Sequence, residues 1–156
     1  VVCKLFNQVQ PDVALFGEKD WQQLAVIRRM AIDLDLTRPH AGAIVGVPIV
    51  READGLAMSS RNAYLDPKQR AQAAALPQAM KQAIAALIDG TPVAAAMDSL
   101  TRELVAGGFA SVDYAEVRDP ASLELVDEPA RQSARLFVAA RIGGTRLIDN
   151  MAIAHT

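Results

Sequence analysis

The sequence predicts an α/β protein in two parts, a parallel-sheet segment over residues 1–50 followed by a small α+β domain with an antiparallel sheet over residues 51–156. Three observations support this division. Two short apolar runs flank an amphipathic helical segment before residue 50, which is typical of a β-α-β unit in an open parallel sheet. Alanine-rich helical sequence begins near Asp66. Two strand-like segments then meet at Gly143-Gly144, a strong hairpin signal.

The first part is predicted as helix, strand, helix and strand in chain order. Apolar residues recur at helical spacing from Val1 to Val9, and "VALF" and "AIVGVPIV" are apolar runs typical of fully buried parallel strands. Between them, "DWQQLAVIRRMAIDLDL" has one apolar helical face, and Asp20 followed by Gln23 resembles a capping box. Two strands alone would leave an apolar sheet edge exposed, so we expect a covering partner or a longer protein.

The second part is predicted as two helices over three antiparallel strands. Asp66 is the expected N-cap with Pro67 at the first helical position. Pro77 should kink or break this helix near Leu76, and Gly90 should end it. Another helix runs to Gly107-Gly108, and strands are predicted at "VDYAEVRD", "ARLFVAARIG" and "TRLIDNMAIA".

The composition excludes several classes of function. Sixteen Lys and Arg are balanced by eighteen Asp and Glu, a net charge of −2, so nothing indicates a basic nucleic-acid surface. No apolar run approaches the roughly 20 residues that cross a bilayer, and the first nine residues do not resemble a secretory signal. The single Cys3 allows no internal disulfide and fits a reducing compartment. We therefore expect a cytoplasmic protein with neither a membrane nor a nucleic-acid partner.

A first candidate site is "FGEKDWQQ" (16–23), where a strand turns into a helix. Ligands bind at this edge of open α/β sheets. Gly17 lets a ligand approach the backbone, Lys19 could meet a phosphate, and Asp20 could bind a ribose hydroxyl. Alternatively, Gly17 only makes the turn, Asp20 and Gln23 only cap the helix, and Lys19 is solvated.

A second candidate site is "DGLAMSSRNAYL" (54–65). Ser59 and Ser60 supply hydroxyl and backbone N–H groups, and Arg61 supplies a planar fork of donors. Phosphate oxygens prefer this combination. The alternative is a capped turn with a surface arginine.

Two further groups of polar residues are interpreted as structural or unassigned. Arg146, Asp149 and Asn150 in "TRLIDN" lie at the end of the predicted hairpin, where pairing with neighbours is expected. His40 and His155 have no Cys, His or carboxylate partner at metal-ligand spacing, so no protein metal site is predicted.

Three segments together carry a family resemblance: "LFNQVQPDVALFGEKDWQQL", "IVGVPIVREADGLAMSSRNAYL" and "GGTRLIDN". In this order and spacing they closely resemble the pantothenate synthetase (pantoate–β-alanine ligase) family over essentially the whole chain. The resemblance implies the C-terminal part of a nucleotidyltransferase-type Rossmann domain over residues 1–50 and a lid-like domain over residues 51–156. It also implies a homodimer that joins pantoate to β-alanine with ATP and Mg²⁺, by way of a pantoyl adenylate, and that releases AMP and pyrophosphate.

The resemblance also implies roles for individual residues. In the first site, Gly17 and Asp20 would contact the ribose, Lys19 the phosphates and Gln23 the pantoate, with Glu18 in the same nucleotide-binding turn.

In the second site, the backbone of Val50 would meet the adenine, while Met58, Ser59, Ser60 and Arg61 would close over the triphosphate. The implied catalytic residues are Lys19, Ser59, Ser60 and Arg61.

One departure from the family concerns its His-x-Gly-His motif, which also grips the phosphates and lies upstream of the matched region, as does a second pantoate-binding Gln. We therefore expect the C-terminal portion of a longer ligase, inactive or nearly so by itself. Two alternatives stay open. One is an adenylyltransferase for another carboxylic acid, and the other is a non-catalytic chain that self-associates through its sheet edge.

Overall fold

The computed structural model describes residues 1–154, so His155 lies outside the described residues. The chain divides into two compact units, Val1–Ile49 and Val50–Thr156. Each unit has its own hydrophobic core. Within residues 1–154, no helix is both long enough and apolar enough to cross a membrane.

The first unit contains one β-α-β crossover preceded by a helix, as the sequence predicts. The elements are α1 (Val2–Val9), β1 (Ala14–Gly17), α2 (Trp21–Asp33) and β2 (Ile44–Val47). Strands β1 and β2 pair in parallel, from Ala14 opposite Ile44 to Gly17 opposite Val47.

The strands of the first unit are buried on one face only. Ala14 and Ile44 pack with the buried side chains of α1 and α2. Because side chains alternate across a strand, the opposite face carries Leu15, Val45 and Val47, which are 66%, 42% and 40% exposed. The prediction that both strands are fully buried is therefore wrong for this unit, since its two helices contribute to a core on one side of the sheet.

The second unit packs helices on a three-stranded antiparallel sheet. Its elements are α3 (Pro67–Ala73), α4 (Ala75–Ile88), α5 (Val93–Ala106), β3 (Ser111–Arg118), β4 (Ala134–Ile142) and β5 (Thr145–Ile153). The strand order is β3-β4-β5. The predicted hairpin is confirmed, because β4 and β5 pair up to Ile142 opposite Thr145, and Gly143 takes the positive φ of 54° that the turn requires.

The helix after Asp66 begins as predicted but breaks earlier than predicted. Asp66 and Gln69 form a complete capping box, with Pro67 at the first helical position. The break that Pro77 predicts near Leu76 falls at Ala74, two residues earlier, so α3 and α4 are separate helices. Pro77 lies in the first turn of α4, where its missing N–H costs no hydrogen bond, and its ring would clash with a continuing helix at the carbonyl of Ala73.

Candidate functional site

The first group of predicted site residues lies at the carboxyl end of β1. This strand ends at Gly17, the 3₁₀ turn Glu18–Asp20 follows, and α2 begins at Trp21. Gly17 pairs with Val47 at the end of β2, so the carboxyl ends of both parallel strands share one edge. This is the edge at which open α/β sheets bind ligands.

Most of these side chains are accessible from that edge. Asp20 and Gln23 are exposed, whereas Glu18 and Lys19 are half-buried. A Cβ placed on Gly17 would meet no atom within 4 Å, so space remains beside its backbone. The Glu18 side chain folds back over Gly46, where a Cβ would lie 2.9 Å from Glu18 Oε1.

The predicted capping box at the start of α2 is wrong. Asp20 occupies the N-cap position but its side chain makes no cap hydrogen bond. The reason is local geometry, because Asp20 ends a 3₁₀ turn with φ −97° and ψ 56° instead of the extended backbone that directs an N-cap side chain onto the helix. Its carboxylate is exposed without a capping role, so the structural alternative for Asp20 loses its main support.

The second group of predicted residues follows a tight reversal of the chain in the second unit. The Met58 N–H donates to the Val50 carbonyl at 2.9 Å, and the Glu52 N–H donates to the Leu56 carbonyl at 2.8 Å. Gly55 makes the turn with φ +89°, a conformation that L-residues avoid. Val50 and Met58 are therefore neighbours although eight positions separate them.

The residues after Met58 form a capped and exposed turn. The Arg61 N–H donates to Ser59 Oγ at 3.2 Å, and the 3₁₀ turn Ser60–Tyr64 follows. Asn62 anchors this turn through Nδ2, which donates to the Ala57 carbonyl at 3.2 Å. Ser60 and Arg61 are exposed. The capped-turn alternative is thus correct for the backbone, and it leaves these side chains open to a ligand.

An ion pair between Asp54 and Arg70 stabilises the chain reversal that contains Gly55. Arg70 Nη1 lies 2.5 Å from Asp54 Oδ2, and this hydrogen bond holds the pKa of Asp54 below its ordinary value. The Asp54 carboxylate also accepts the Leu56 N–H at 3.2 Å. Asp54 is therefore occupied within the turn.

Across residues 1–154, no group of three or more His, Cys, Asp or Glu side chains could hold a metal ion.

Comparison with known proteins assigns a family. The family model described as Pantoate-beta-alanine ligase matches residues 1–152. The chain belongs to the pantoate–β-alanine ligase family.

Individual members of the ligase family agree with this assignment. The pantothenate synthetase of Novosphingobium aromaticivorans is 65% identical over 98% of this chain and 54% of its own length. The crystal structure of pantothenate synthetase from Thermus thermophilus matches with a TM-score of 0.86 at 42% identity, over 99% of this chain and 54% of that one. The ligase of Francisella tularensis, solved with beta-gamma ATP and β-alanine, has the same fold, with a TM-score of 0.71 at 24% identity over 99% of this chain and 49% of that one. The chain thus spans about half the length of the relatives it matches.

This ligase-family chain also contains a partly buried ion pair that the sequence alone did not predict. Arg51 donates to both carboxylate oxygens of Asp149 and to the Gly55 carbonyl at 2.9 Å. The structural interpretation of "TRLIDN" is confirmed for Asp149, and Arg135 likewise donates to Asn150 Oδ1. One available signal was an acidic residue inside the apolar strand β5, because a buried carboxylate needs a partner.

Proposed function

We propose that this chain carries part of the active site of an ATP-dependent ligase that joins pantoate to β-alanine and releases AMP and pyrophosphate. Family membership supports the reaction class. The observation that carries the proposal is the position of Lys19, in an open turn at the carboxyl end of β1. The Francisella tularensis ligase was solved with beta-gamma ATP and β-alanine, and two of the substrates proposed here are ATP and β-alanine.

In the proposed first step, the pantoate carboxylate attacks the α-phosphorus of ATP and pyrophosphate leaves, giving a pantoyl adenylate. Negative charge then accumulates on the phosphoryl oxygens. An ammonium placed beside these oxygens, such as that of Lys19, would stabilise this charge more in the transition state than in the ground state. Ser59, Ser60 and Arg61 would act on the β- and γ-phosphates. In the second step the β-alanine amine attacks the acyl carbon, and AMP leaves.

The remaining residues are proposed to bind and orient substrates. Gly17 and Asp20 would bind the ribose, with Glu18 in the same turn, and Gln23 would hold pantoate from the first turn of α2. The absence of a cap bond at Asp20 supports its role, since its carboxylate is available.

Val50 would meet the adenine through its backbone, and Met58 would cover the nucleotide. The Val50 carbonyl already accepts the Met58 N–H, and a carbonyl keeps a second lone pair for another donor.

We propose that Mg²⁺ enters the site bound to the triphosphate of ATP. The residues described offer no protein-only cluster for it. Mg²⁺ is commonly bound by substrate phosphates and water with one or two carboxylates, so no residue of this chain is assigned to it.

We also propose the whole-protein properties that the family implies, a cytoplasmic homodimer with a Rossmann domain that includes the first unit and a lid-like domain formed by the second. The sequence contains no His-x-Gly-His motif. These residues alone are therefore proposed to ligate very slowly or not at all.

A chimeric ligase tests the proposal. The upstream half of the Novosphingobium aromaticivorans synthetase would be fused before residue 1, and pyrophosphate exchange and pantothenate formation would be measured with pantoate and with a panel of other carboxylic acids. We expect both activities with pantoate. Exchange with another acid but not with pantoate would contradict the substrate assignment and favour the alternative adenylyltransferase.

A second candidate role is self-association, which the exposed apolar face of Leu15, Val45 and Val47 favours. Light scattering of the 156-residue chain, with a Leu15→Lys variant as comparison, tests it. A dimer that Leu15→Lys dissociates supports this role, and a wild-type monomer excludes it.

A further inference from the structure

The β4–β5 hairpin and the turn that carries Arg61 line a pocket of about 480 Å³ within the second unit. Among residues 1–154, two of the five lining residues are arginines and none is acidic. They are Arg61, Tyr64, Gly144, Thr145 and Arg146.

Arg146 is held in place by its neighbours. Its Nε donates to Asp113 Oδ2 at 2.7 Å, and its Cζ lies 5.7 Å from the centre of the Tyr114 ring. Because Asp113 is bonded through Nε, N–H donors at the Nη end remain for a further acceptor. Asp113 also accepts a hydrogen bond from Arg141 Nε at 3.0 Å, so two cations face this one carboxylate. The charge of Asp113 is thus compensated, and it does not cancel the positive charge of the pocket.

Arg61 reaches the same pocket from a turn whose backbone is fixed. Its N–H is bonded to Ser59 Oγ, while its exposed guanidinium has no carboxylate within salt-bridge distance among residues 1–154. Two guanidinium groups without a lining carboxylate favour an anion with several oxygens, since each planar fork can bind two of them. Tyr64 and Thr145, two hydroxyl-bearing residues, also line the pocket.

We infer that this pocket binds diphosphate between Arg61 and Arg146, with Arg146 as a phosphate-binding residue contributed by the hairpin. The inference rests on the proposed function, in which diphosphate is the leaving group of adenylate formation, and it assigns the departing group a place in the second unit. A single orthophosphate offers fewer oxygens to two forks and should bind more weakly.

Calorimetric titration of the 156-residue chain with inorganic diphosphate, without Mg²⁺, tests the inference. We expect saturable binding that weakens as salt is raised, and a loss of affinity of about tenfold or more in Arg146→Gln, because a charge-assisted hydrogen bond is removed. Arg102→Gln is the matched control. It removes an exposed arginine of α5, at a position that does not line the pocket, and should bind diphosphate with nearly wild-type affinity.

Gly144→Asp provides a variant that does not depend on the Arg146 contacts. A Cβ on Gly144 meets no atom within 4 Å, so a side chain fits there and adds a negative charge to the lining. Binding should be lost, whereas Ala94→Asp, which adds the same charge at an exposed position of α5, should leave it intact. Circular dichroism establishes that each variant is folded.

Absence of diphosphate binding to the wild-type chain would overturn the inference, as would an affinity in both Arg146→Gln and Gly144→Asp equal to that of their controls. The proposed function fails separately. The chimera could catalyse no pyrophosphate exchange while the 156-residue chain binds diphosphate as described. That result would support the pocket as an anion-binding site and refute the proposed ligase function. If exchange proceeded and the pocket variants bound normally, only the pocket would be refuted.

Discussion

Arg51 and Asp149, 98 positions apart in the chain, form a two-point ion pair with N–O distances of 2.7 and 2.9 Å. The Asp149 side chain is completely buried, and that of Arg51 is 25% exposed. Asp149 also accepts the Asn150 N–H at 2.8 Å. This pair ties strand β5 to the chain reversal that precedes Ser59, so the sheet and the candidate phosphate-binding turn share one anchor.

Arg51→Ala should destabilise the second unit by about 3–5 kcal/mol, because it leaves a buried carboxylate without its cation. Replacing both partners, as in Arg51→Met with Asp149→Leu, should recover most of that loss, since paired hydrophobic residues avoid the desolvation of two charges. Urea denaturation of the single and double variants measures both effects. A single variant within about 0.5 kcal/mol of wild type, the range of an ordinary surface change, would show that the pair is not an anchor.

Asp66→Ala and Asp20→Ala should separate capping from binding. Asp66 caps α3 through the Gln69 N–H at 2.8 Å, so its removal should cost about 0.5–2 kcal/mol of stability and leave the activity of the folded chimera unchanged. Asp20 makes no cap bond, so its removal should leave stability nearly unchanged and weaken ATP binding. Thermal unfolding and ATP titration of the chimera give the two readouts. The assignment of Asp20 to the nucleotide would fail if its variant lost stability and kept ATP affinity.

Asp113 should make stability depend on pH in the acidic range. The hydrogen bond from Arg146, and then that from Arg141, holds the pKa of Asp113 below its ordinary value. The folded state therefore stays ionised when the unfolded chain begins to protonate, near pH 4, and the stabilising contribution is complete above that pH and lost as pH falls through the folded-state pKa.

The comparison that isolates this effect is the free energy of unfolding of wild type and Asp113→Asn across the acidic range. Their difference should be largest at neutral pH and shrink below about pH 4. Asp98→Asn, at an exposed position on α5, serves as the control and should show a smaller difference. A wild-type advantage that grows on acidification would contradict a lowered pKa of Asp113 in the folded state.

Short-range sequence signals predict the helices and strands of this fold better than they predict what packs against each element. Pro67 behind Asp66 and the Gly143-Gly144 pair act within a few residues, and the structure confirms the helix start and the hairpin that they predict. The exposure of Leu15 depends on what packs against the strand, which apolar composition does not specify. The helix break at Ala74, in contrast, lies within two residues of the predicted position, because the ring of Pro77 acts on the turn just before it.

In the candidate site, too, local features could be predicted from the sequence and long-range contacts could not. The positions of Lys19 and Arg61 in turns could be predicted from the adjoining strand and from the serines. Asp20 and Gln23 have the spacing of a capping box, but the 3₁₀ turn that precedes α2 directs the Asp20 side chain elsewhere. The partner of Asp149 could not be predicted, because Arg51 lies 98 positions away and their pairing depends on the tertiary fold.

Pyrophosphate exchange in the chimeric ligase measures whether Lys19 acts in adenylate formation. Lys19→Ala should lower the exchange rate with pantoate by ~10²-fold or more, since one preorganised donor to a developing negative charge is typically worth that much. Lys4→Ala, on α1, is the matched control and should exchange at the wild-type rate. An unchanged exchange rate in a folded Lys19→Ala chimera would contradict the role proposed for Lys19.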